Sequence, residues 1–593
     1  MQKITVSAFL IIFSHALFSA DTTALSPCGI AVDGTKGYVI LRDTKKILVL
    51  SLPACAMEKS IAVPATPTGI ALGKKYLFVT GADPAGTLMV VDPASGTIVK
   101  NIPAGNGATY PAVGPGGMVA VCNRFDGTVS LITSDGTAKV VRVSREPVSS
   151  VFSPAGDTLF VANLLPTTRA DAQYTASVIS VVDIATGAVA SEIRLPNGST
   201  AIEHIALSPD GNTAYAVHTI ARFMVPTTQI ERGWMYTAAL SVIDVQKRAH
   251  AATIVLDDAY RGAANPSRVA VTPDGSSILV VHQGTHEMSV IDRAALHKKI
   301  AASTNAASLA DDLTFLAGGG LRKRIPLNGQ GFRSLAVSGG NAYVPGFFSD
   351  SISVVDLASG EYDVTTVMLA SNRTMSIERK GEMLFNDASI CFQQWQSCAS
   401  CHPDARVDGF NWDLLNDGLG NPKNVRSLLN AHKRSPVMSH GIRASAEAAV
   451  RAGIRFILFT VRPESDAEAI DAYMRSLTPA PSPYLKNGAL STAAQKGKTL
   501  FTGKAGCIAC HTGPMATDLK LHDVGTKSPR DTDNEFVTPT LVEVWRTAPY
   551  MHDGRYTSIK EVITVGNAEG KRGSTASLPE ADIDALVEYI LSL

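Results

Sequence analysis

The sequence predicts a multidomain protein in which an all-β seven-bladed propeller is followed by two mainly α-helical domains. Three observations predict it. A unit of short apolar strands recurs seven times in the N-terminal part, the hydrophobic period then changes from two residues to 3.6, and a Gly-x-x-Leu-Phe core followed by Cys-x-x-Cys-His occurs twice. A chain of 593 residues is also too long for a single hydrophobic core.

Each N-terminal repeat contains two apolar strands joined by a tight turn and a third strand that ends in Asp. Clear copies are PTGIALGKKYLFVTG from residue 67, IEHIALSPDGNTAYAVH from 202 and PSRVAVTPDGSSILVVH from 266. Asp-Gly and Gly-Gly provide the positive φ that tight hairpins need. One unit cannot bury its own faces, and a closed ring of units leaves only short edges. We therefore expect a propeller over residues 24–368; the repeat period disfavours a sandwich or barrel.

The repeats resemble the YVTN family of propellers, with the tetrapeptide changed here to FVTG, AVCN, FVAN, AVHT and VVHQ. Two insertions, LPTTRADAQYTA and TIARFMVPTTQIERGWMYTA, follow the second strands of repeats four and five. They are either surface decoration or a docking surface for the neighbouring domain. His204, His218 and His282 fall near the expected axis or rim, as satisfied polar residues or as metal ligands.

The second part of the chain carries two Cys-x-x-Cys-His runs, within predicted domains at 371–480 and 485–593. This run is the attachment sequence of a c-type haem. Two thiols three positions apart reach the two vinyl groups of one porphyrin, and the following His provides the proximal iron ligand. Two c-type haems are therefore predicted. The residues expected to hold them are Cys398, Cys401 and His402, and Cys507, Cys510 and His511.

Zinc binding and thiol redox chemistry are the alternatives for the cysteine pairs. A four-cysteine zinc site typically separates its pairs by about 15–20 residues, much less than the spacing here. A thioredoxin-like site would need a βαβ setting, and none precedes either motif. Of the remaining cysteines, Cys28 and Cys55 are candidates for a disulfide, but the sequence leaves their pairing open.

Composition and the N-terminus bear on location and partners. Residues 1–20 read as a secretory signal peptide, which predicts a periplasmic or otherwise exported protein. No later segment is long and apolar enough to predict a membrane span in the mature chain. Lys plus Arg equal Asp plus Glu at 53 each, so the chain has no electrostatic footprint for nucleic acid or an anionic membrane.

The C-terminal part resembles the dihaem cytochrome c peroxidase and MauG family. The most specific matches are CIACHTGPMATDLKLHDVGT and TPTLVEVWRTAPYMHDGRYTSIKEVI, joined by CASCHPDARVDG and GNPKNVRSLLNAHKRSP in the first half. The resemblance implies an oxidoreductase with electron transfer between two haems. It also implies an electron-donor or acceptor protein and a small oxidant such as peroxide as partners.

The resemblance implies further site residues. Asn424, Thr547 and Pro549 match positions that hold a calcium ion between the haems, and His552 matches as well. Backbone and amide oxygens are ligands that calcium accepts. The candidate distal iron ligands are Met438 and His440 for the first haem and Met551 and Met515 for the second.

Several positions depart from the family pattern. Ser439 replaces the Trp thought to relay electrons between the haems, and GIRFILFTVRPES lacks the distal Glu that helps to break the O–O bond. Val565 occupies the distal-ligand position of the second haem, and Asn416 aligns with the distal His of the first. These changes leave peroxidase activity itself open, along with MauG-like oxidation of a partner.

Two other functions compete with a haem oxidoreductase. One is a non-enzymatic electron carrier that uses the propeller as a docking platform. The other is a catalytic propeller of the quinoprotein type, which would need a cofactor cradle of several Trp and Arg residues. The chain has only four Trp, mostly beyond the repeats, and this disfavours the quinoprotein.

Overall fold

The computed structural model describes residues 23–82, 85–224, 234–370, 374–414 and 420–593. The predicted signal peptide lies outside these ranges. In the described residues, seven four-stranded antiparallel sheets are followed by a mainly helical region. The predicted fold class is therefore confirmed.

Each propeller blade is built from four strands that are consecutive in the chain. Blades one to four contain β1 (Pro27–Asp33), β2 (Lys36–Leu41), β3 (Lys46–Ser51) and β4 (Ala56–Ala62); β5 (Pro67–Leu72), β6 (Leu77–Gly81), β7 (Thr87–Asp92) and β8 (Thr97–Pro103); β9 (Ala108–Val113), β10 (Val119–Asn123), β11 (Thr128–Ile132) and β12 (Ala138–Arg142); and β13 (Pro147–Phe152), β14 (Thr158–Asn163), β15 (Val178–Asp183) and β16 (Ala188–Arg194). Blades five to seven contain β17 (Ser199–Leu207), β18 (Thr213–Ala221), β19 (Tyr236–Asp244) and β20 (Ala249–Val255); β21 (Pro266–Val271), β22 (Ser277–His282), β23 (Glu287–Asp292) and β24 (Arg322–Pro326); and β25 (Ala336–Ser338), β26 (Asn341–Gly346), β27 (Ser351–Asp356) and β28 (Val364–Met368).

The first strand of each blade lies innermost, and most of these strands pack against the first strand of the next blade, so together they surround the axis. Apolar side chains from the second and third strands fill the space between blades. The Asp-Gly turns form as predicted, because Gly211 and Gly275 adopt φ values of 70° and 74°. The ring closes where the backbone N–H of Ile30 in blade one donates to Ser334 Oγ beside blade seven, at 3.1 Å.

The helical region divides into two halves of similar structure. Its helices, with α1 of blade six before them, are α1 (Arg293–Ala301), α2 (Ile377–Asn386), α3 (Cys398–Cys401), α4 (Ala446–Phe456), α5 (Glu464–Ser476), α6 (Thr492–Thr502), α7 (Ile559–Ile563) and α8 (Glu580–Leu591). Two short hairpins accompany them, formed by β29 (Asn411–Trp412) with β30 (Lys423–Asn424) and by β31 (Leu521–Asp523) with β32 (Glu535–Val537). No helix in the described ranges is both long and apolar enough to cross a bilayer.

The Gly-x-x-Leu-Phe core has the same packing role in both halves. Helix α2 crosses α5 at Gly381, where an added Cβ would lie 1.9 Å from the carbonyl oxygen of Ala469. Helix α6 crosses α8 at Gly497, where it would lie 2.0 Å from that of Ala585. Glycine is required at both crossings because any side chain would collide with the backbone of the closing helix.

The propeller histidines have structural roles. His218 contacts Thr219 O at 3.1 Å and Ser241 Oγ at 2.8 Å, which satisfies both ring nitrogens. His282 is bonded in the same way, to Ala263 O at 2.7 Å and Ser289 Oγ at 2.9 Å. The reading as satisfied polar residues therefore holds for these two.

The suggested disulfide between Cys28 and Cys55 is not formed. All eight cysteines lie within the described residues, and all are free. Cys28 is on the innermost strand of blade one, whereas Cys55 lies in the turn between its two outer strands. The width of the blade separates the two thiols.

Candidate haem sites

The first Cys-x-x-Cys-His run opens onto a large cavity. Its volume is about 710 Å³, and Cys398 and His402 line it together with Met438, Ser439 and His440. This volume falls within the range of roughly 300–1,000 Å³ that large ligands occupy in proteins. The cavity lies against α4 and α5, so apolar side chains from the helices cover most of its wall.

The imidazole of His402 is held in a defined orientation. Its Nδ1 lies 3.0 Å from the carbonyl oxygen of Arg406. A carbonyl can only accept, so Nδ1–H donates and Nε2 keeps its lone pair. Burial lowers the pKa of His402 to about 4, which keeps the imidazole neutral near pH 7. Iron-binding histidines typically fix their other nitrogen in this way.

The second motif repeats this arrangement. Nδ1 of His511 lies 3.0 Å from the carbonyl oxygen of Ala516, and burial again lowers the pKa of the imidazole. Cys507 packs against the hydrophobic core of α6 and α8. Cys510 lies beside Asp518 and His522, with the ligand atoms of the three residues within 4.8 Å of one another. The second half therefore presents a thiol pair and a neutral imidazole as the first does.

The thiol pairs do not converge on one metal. Cys398 belongs to the core of the first half and Cys507 to the core of the second. This rules out a shared four-cysteine zinc site. Burial raises the pKa of Cys398 to about 12 and that of Cys507 to about 11, so the free thiols would be uncharged. Neutral sulfur in an apolar setting suits a thioether bond to a porphyrin.

The propeller takes part in the first site. Tyr236, at the end of the blade-five insertion, donates to the Asp408 carboxylate and also contacts the Cys401 thiol. Trp412 Nε1 donates to the same carboxylate at 2.9 Å, and burial raises the pKa of Asp408 to about 6. In blade four, Ala170 N donates to Gly554 O at 3.0 Å. Both insertions contact the helical region, which we call the haem region from here on. These contacts favour the docking interpretation over surface decoration.

Met438 and Met551 occupy equivalent positions of an internal repeat that sequence analysis missed. SPVMSHG and APYMHDG each begin with a cis X–Pro peptide bond, and the two methionines have φ values of 76° and 77°. The carbonyl of the residue after each methionine accepts a hydrogen bond from the other half of the helical region. Val537 N donates to Ser439 O at 2.9 Å, and Asn424 N donates to His552 O at 2.7 Å. Aligning the two segments would have revealed the repeat.

The candidate distal ligands are placed differently. Met438 and His440 line the first cavity. Met551 Sδ lies 3.6 Å from Nη1 of Arg572 in the second half, and the carbonyl of Met515 accepts from Thr540 Oγ1 at 2.6 Å. Val565 is 71% exposed. Asn416 lies outside the described residues.

A stack of three rings lies between the two halves. Phe536 lies between His440 and His552, with ring centroids 4.6 Å and 4.2 Å away. Asp531 accepts from His552 Nε2 at 2.8 Å and pairs with Lys423 Nζ at 2.9 Å. The family pattern places a Trp at Ser439, so here the large aromatic ring between the halves comes from β32 instead.

The candidate calcium residues are only partly brought together. Asn424 and Pro549 both lie against Gly554, where an added Cβ would be 2.8 Å from Nδ2 of Asn424 and 3.1 Å from Cγ of Pro549. Thr547 Oγ1 donates its proton to Val544 O at 3.0 Å, which leaves the lone pairs of the hydroxyl oxygen. This oxygen and the amide and backbone oxygens of the loop are the groups that a cation could bind.

A buried ionic network joins the propeller to both halves of the haem region. Arg546 Nε lies 3.0 Å from Oε1 of Glu146 in blade four, and its Nη2 lies 2.8 Å from Asp404. Arg406, whose carbonyl holds His402, pairs with Glu543 at 2.8 Å. Burial opposes ionisation of Glu146, but Arg546 and Arg124 outweigh it and lower the pKa to about 2. No local pattern in the sequence indicated this network.

Comparison with known proteins places the helical region in a family. A cytochrome c family model matches residues 494–593. Cytochrome-c peroxidase IdrP1 of Pseudomonas sp. (strain SCT) is 31% identical over 278 residues, which cover 33% of this chain and 73% of that protein. Hydrazine synthase subunit gamma of Kuenenia stuttgartiensis is 28% identical over 271 residues, with 36% of this chain and 77% of that protein covered.

A solved structure supports the fold. A chain of Kuenenia stuttgartiensis hydrazine synthase aligns with a TM-score of 0.50 at 20% identity, and the match covers 61% of this chain and 100% of that one. At this identity the likeness shows the fold alone. The sequence relatives and the matching haem motif carry the family assignment. Through its C-terminal part, fused to a seven-bladed propeller, the chain belongs to the cytochrome c peroxidase family of c-type haem oxidoreductases.

Proposed function

We propose that the chain is an exported dihaem oxidoreductase that passes electrons between a haem at Cys398, Cys401 and His402 and a second at Cys507, Cys510 and His511. Each bound haem would supply a one-electron redox couple. The observation that carries the proposal is the matched geometry of the two histidines. Each donates Nδ1–H to a carbonyl at 3.0 Å, so in the neutral ring Nε2 carries the lone pair that iron would take.

The chain's role in this proposal is to orient and shield the two sites. The Arg406 carbonyl fixes the His402 ring, and the Arg406 guanidinium is itself held by Glu543 from the other half. Movement of the second half would therefore change the orientation of the His402 ring. Tyr236 and Trp412 close the edge of the first site next to Cys401, which limits the access of water to that thioether.

We further propose that Phe536 lies on the electron route between the two halves. Its ring packs between His440, which lines the first cavity, and His552, which belongs to the second half. The stack is buried, with Phe536 7% and His552 6% exposed. It provides a continuous aromatic contact in the absence of a Trp at Ser439.

The reaction proposed at the first site is either the reduction of peroxide or another small oxidant or the oxidation of a partner protein. The cavity is large, and its wall includes cationic and imidazole groups such as Arg426, Arg434 and His440. Burial lowers the pKa of Arg426 to about 10, which still leaves it charged near neutral pH. These groups would bind and orient a polar oxidant where the family's distal Glu is missing.

The competing function is electron transfer without catalysis, with the propeller as the docking platform. The contacts of both insertions with the haem region are compatible with it. The optical spectrum of the oxidised protein, recorded with and without cyanide, separates the two functions. A high-spin signal that cyanide converts supports the oxidoreductase. Two low-spin haems whose spectra do not change with cyanide would exclude the oxidoreductase, and a peroxide turnover assay would then show no activity.

We also propose a calcium ion near Asn424, Thr547 and Pro549. The proximity of Asn424 to Pro549 around Gly554 supports it. Incubation with a chelator should lower the melting temperature of the holoprotein, and added Ca²⁺ should restore it. An identical melting temperature with and without chelator would remove calcium from the proposal.

A further inference from the structure

The axial channel of the propeller is covered by the haem region at the end where the innermost strands begin. Asn265, just before β21, donates to Ser397 Oγ at 2.8 Å, and Gln283 donates to Asn386 Oδ1 at 3.0 Å. His286 contacts Asp387 at 3.1 Å. The channel is therefore closed by α2 and the segment before α3, and side chains at its upper end lie between the propeller and the first haem site.

Two arginines from neighbouring blades lie in this closed end of the channel. Arg268 is on the innermost strand of blade six, and its guanidinium stacks 4.1 Å from the ring of Tyr110 on the innermost strand of blade three. Blades three and six lie on opposite sides of a seven-membered ring, so this contact spans the axis. Arg333, at the start of blade seven, lies close enough to repel the Arg268 cation.

Among the described residues neither cation has a carboxylate within ion-pair distance, and Glu382 and Asp404, which act on Arg333 from further away, are each bound to another arginine. Arg268 is only 5% exposed, and its one hydrogen bond goes to the carbonyl of the preceding residue. Arg333 stacks 3.9 Å from the Phe347 ring, and its buried Nε has no hydrogen-bond partner. A buried cation is strongly disfavoured unless it is paired.

Nearby arginines contrast with these two because each is paired. Arg42 lies 2.8 Å from Asp43, and Arg379 lies 2.9 Å from Glu382. Arg124 pairs with Glu146 at 2.7 Å. The carboxylates around the channel are thus already committed to other cations.

The remaining polar groups of the channel do not offset the charge. Burial raises the pKa of Glu203 to about 7, so this carboxyl is only partly ionised near neutral pH. Burial lowers the pKa of His204 to about 4, so it is neutral. Asp404 is bound by Arg124 and Arg546. An excess of positive charge therefore remains at the axis.

We propose that Arg268 and Arg333 form a binding site for a small oxyanion in the axial channel, beneath the haem region. A planar guanidinium donates two parallel hydrogen bonds to groups with paired oxygens, such as sulfate, phosphate or a carboxylate. The anion would supply the missing counter-charge for both arginines. The proposal does not depend on the haem chemistry, because both arginines belong to the propeller.

The test uses the full haem-loaded protein in chloride buffer at constant ionic strength. Sulfate, phosphate and acetate are titrated separately, and binding is followed by calorimetry and by the melting temperature. We expect saturable binding of one anion per chain and a melting temperature that rises with anion concentration. Preference for sulfate and phosphate over acetate would identify an inorganic oxyanion, and the reverse order a carboxylate. No saturable binding of any of the three would overturn the proposal.

Matched variants locate the site. Arg268→Gln and Arg333→Gln should each weaken binding at least tenfold, and Arg333→Lys should weaken it less because the charge remains. Arg293→Gln is the control, since Arg293 pairs with Asp210 away from the axis and should leave binding unchanged. Wild-type affinity in both Gln variants would contradict the assignment. If a Gln variant does not fold, the Lys variant and the wild-type titration still decide it.

Discussion

Arg546 and Glu146 form a buried ion pair, 3.0 Å between Nε and Oε1, that joins the second half of the haem region to blade four of the propeller. Both side chains are almost fully buried, at 6% and 5% exposed. Arg546 also binds Asp404, two residues after His402. This single guanidinium therefore links the propeller to both parts of the haem region.

Breaking this pair should destabilise the protein strongly. Glu146→Gln removes the charge and leaves Arg546 with one carboxylate fewer in a buried setting, which costs about 3–5 kcal/mol when a buried pair loses one partner. Urea unfolding followed by far-UV circular dichroism measures the change. Glu58→Gln is the control, because the Lys36–Glu58 pair is exposed at 47% and 38%. The control should lose far less stability, because solvent screens an exposed pair, and equal losses in the two variants would contradict the network.

The same carboxylate should make stability pH-dependent. The pKa of Glu146 falls from 4.5 to about 2 on folding, because its arginine partners outweigh its burial. A lowered folded-state pKa gives stabilisation that is complete above about pH 4.5 and lost as the pH falls towards 2. The difference in unfolding free energy between wild type and Glu146→Gln should therefore shrink across this window. A constant difference from pH 6 to pH 3 would be inconsistent with an ionised Glu146.

Each cysteine pair should hold its own haem. Cys401→Ala leaves only one thiol to attach the first haem, and the second site is unaffected because it lies in a separate core. We expect the mass of the denatured chain to fall by one covalently bound haem. Cys510→Ala is the matched variant and should remove the other haem. An unchanged haem content in either variant would argue against covalent attachment at that site.

Tyr236 of the propeller should affect the reduction potential of the first haem only. Tyr236→Phe removes the hydrogen bond to Asp408 beside Cys401 and should cost about 1.5–3 kcal/mol, as is typical for a bond to a charged group. We also expect the reduction potential of one haem to shift while the other stays constant. Tyr174→Phe, which loses only a bond to the Leu195 carbonyl within the propeller, is the control. A shift of both potentials, or of neither, would count against a local role.

Phe536 should matter for electron transfer more than for folding. Phe536→Leu keeps an apolar side chain but removes the ring between His440 and His552. After flash reduction of one haem, we expect the second to be reduced more slowly than in the wild type, and Phe536→Tyr should be close to normal. Equal rates in all three proteins would show that electrons take another route.

The sequence predicted the features that repeat locally. The blade strands follow a two-residue period with Asp-Gly turns, and Gly381 and Gly497 appear in the same short motif because each sits at an equivalent helix crossing. The Cys-x-x-Cys-His runs are contiguous and therefore visible. These patterns are local because the backbone geometry that they satisfy is local.

Contacts between distant segments were not predictable in this way. Glu146 and Arg546 are far apart in the sequence, and nothing near either residue indicates its partner. Arg268 looks like an ordinary strand residue until the ring of blades brings it to Tyr110. The position of Phe536 between the halves was likewise not predictable, because the family pattern has its aromatic residue at the position of Ser439. In each case the chemistry arises from tertiary packing.

The number of covalently bound haems tests the central proposal most directly. The exported protein, made in cells that mature c-type cytochromes, is extracted with acid acetone, and the pellet is assayed as its alkaline pyridine complex. We expect a coloured pellet with two c-type haems per chain, one for each of His402 and His511. A colourless pellet, or a single haem per chain, would contradict it.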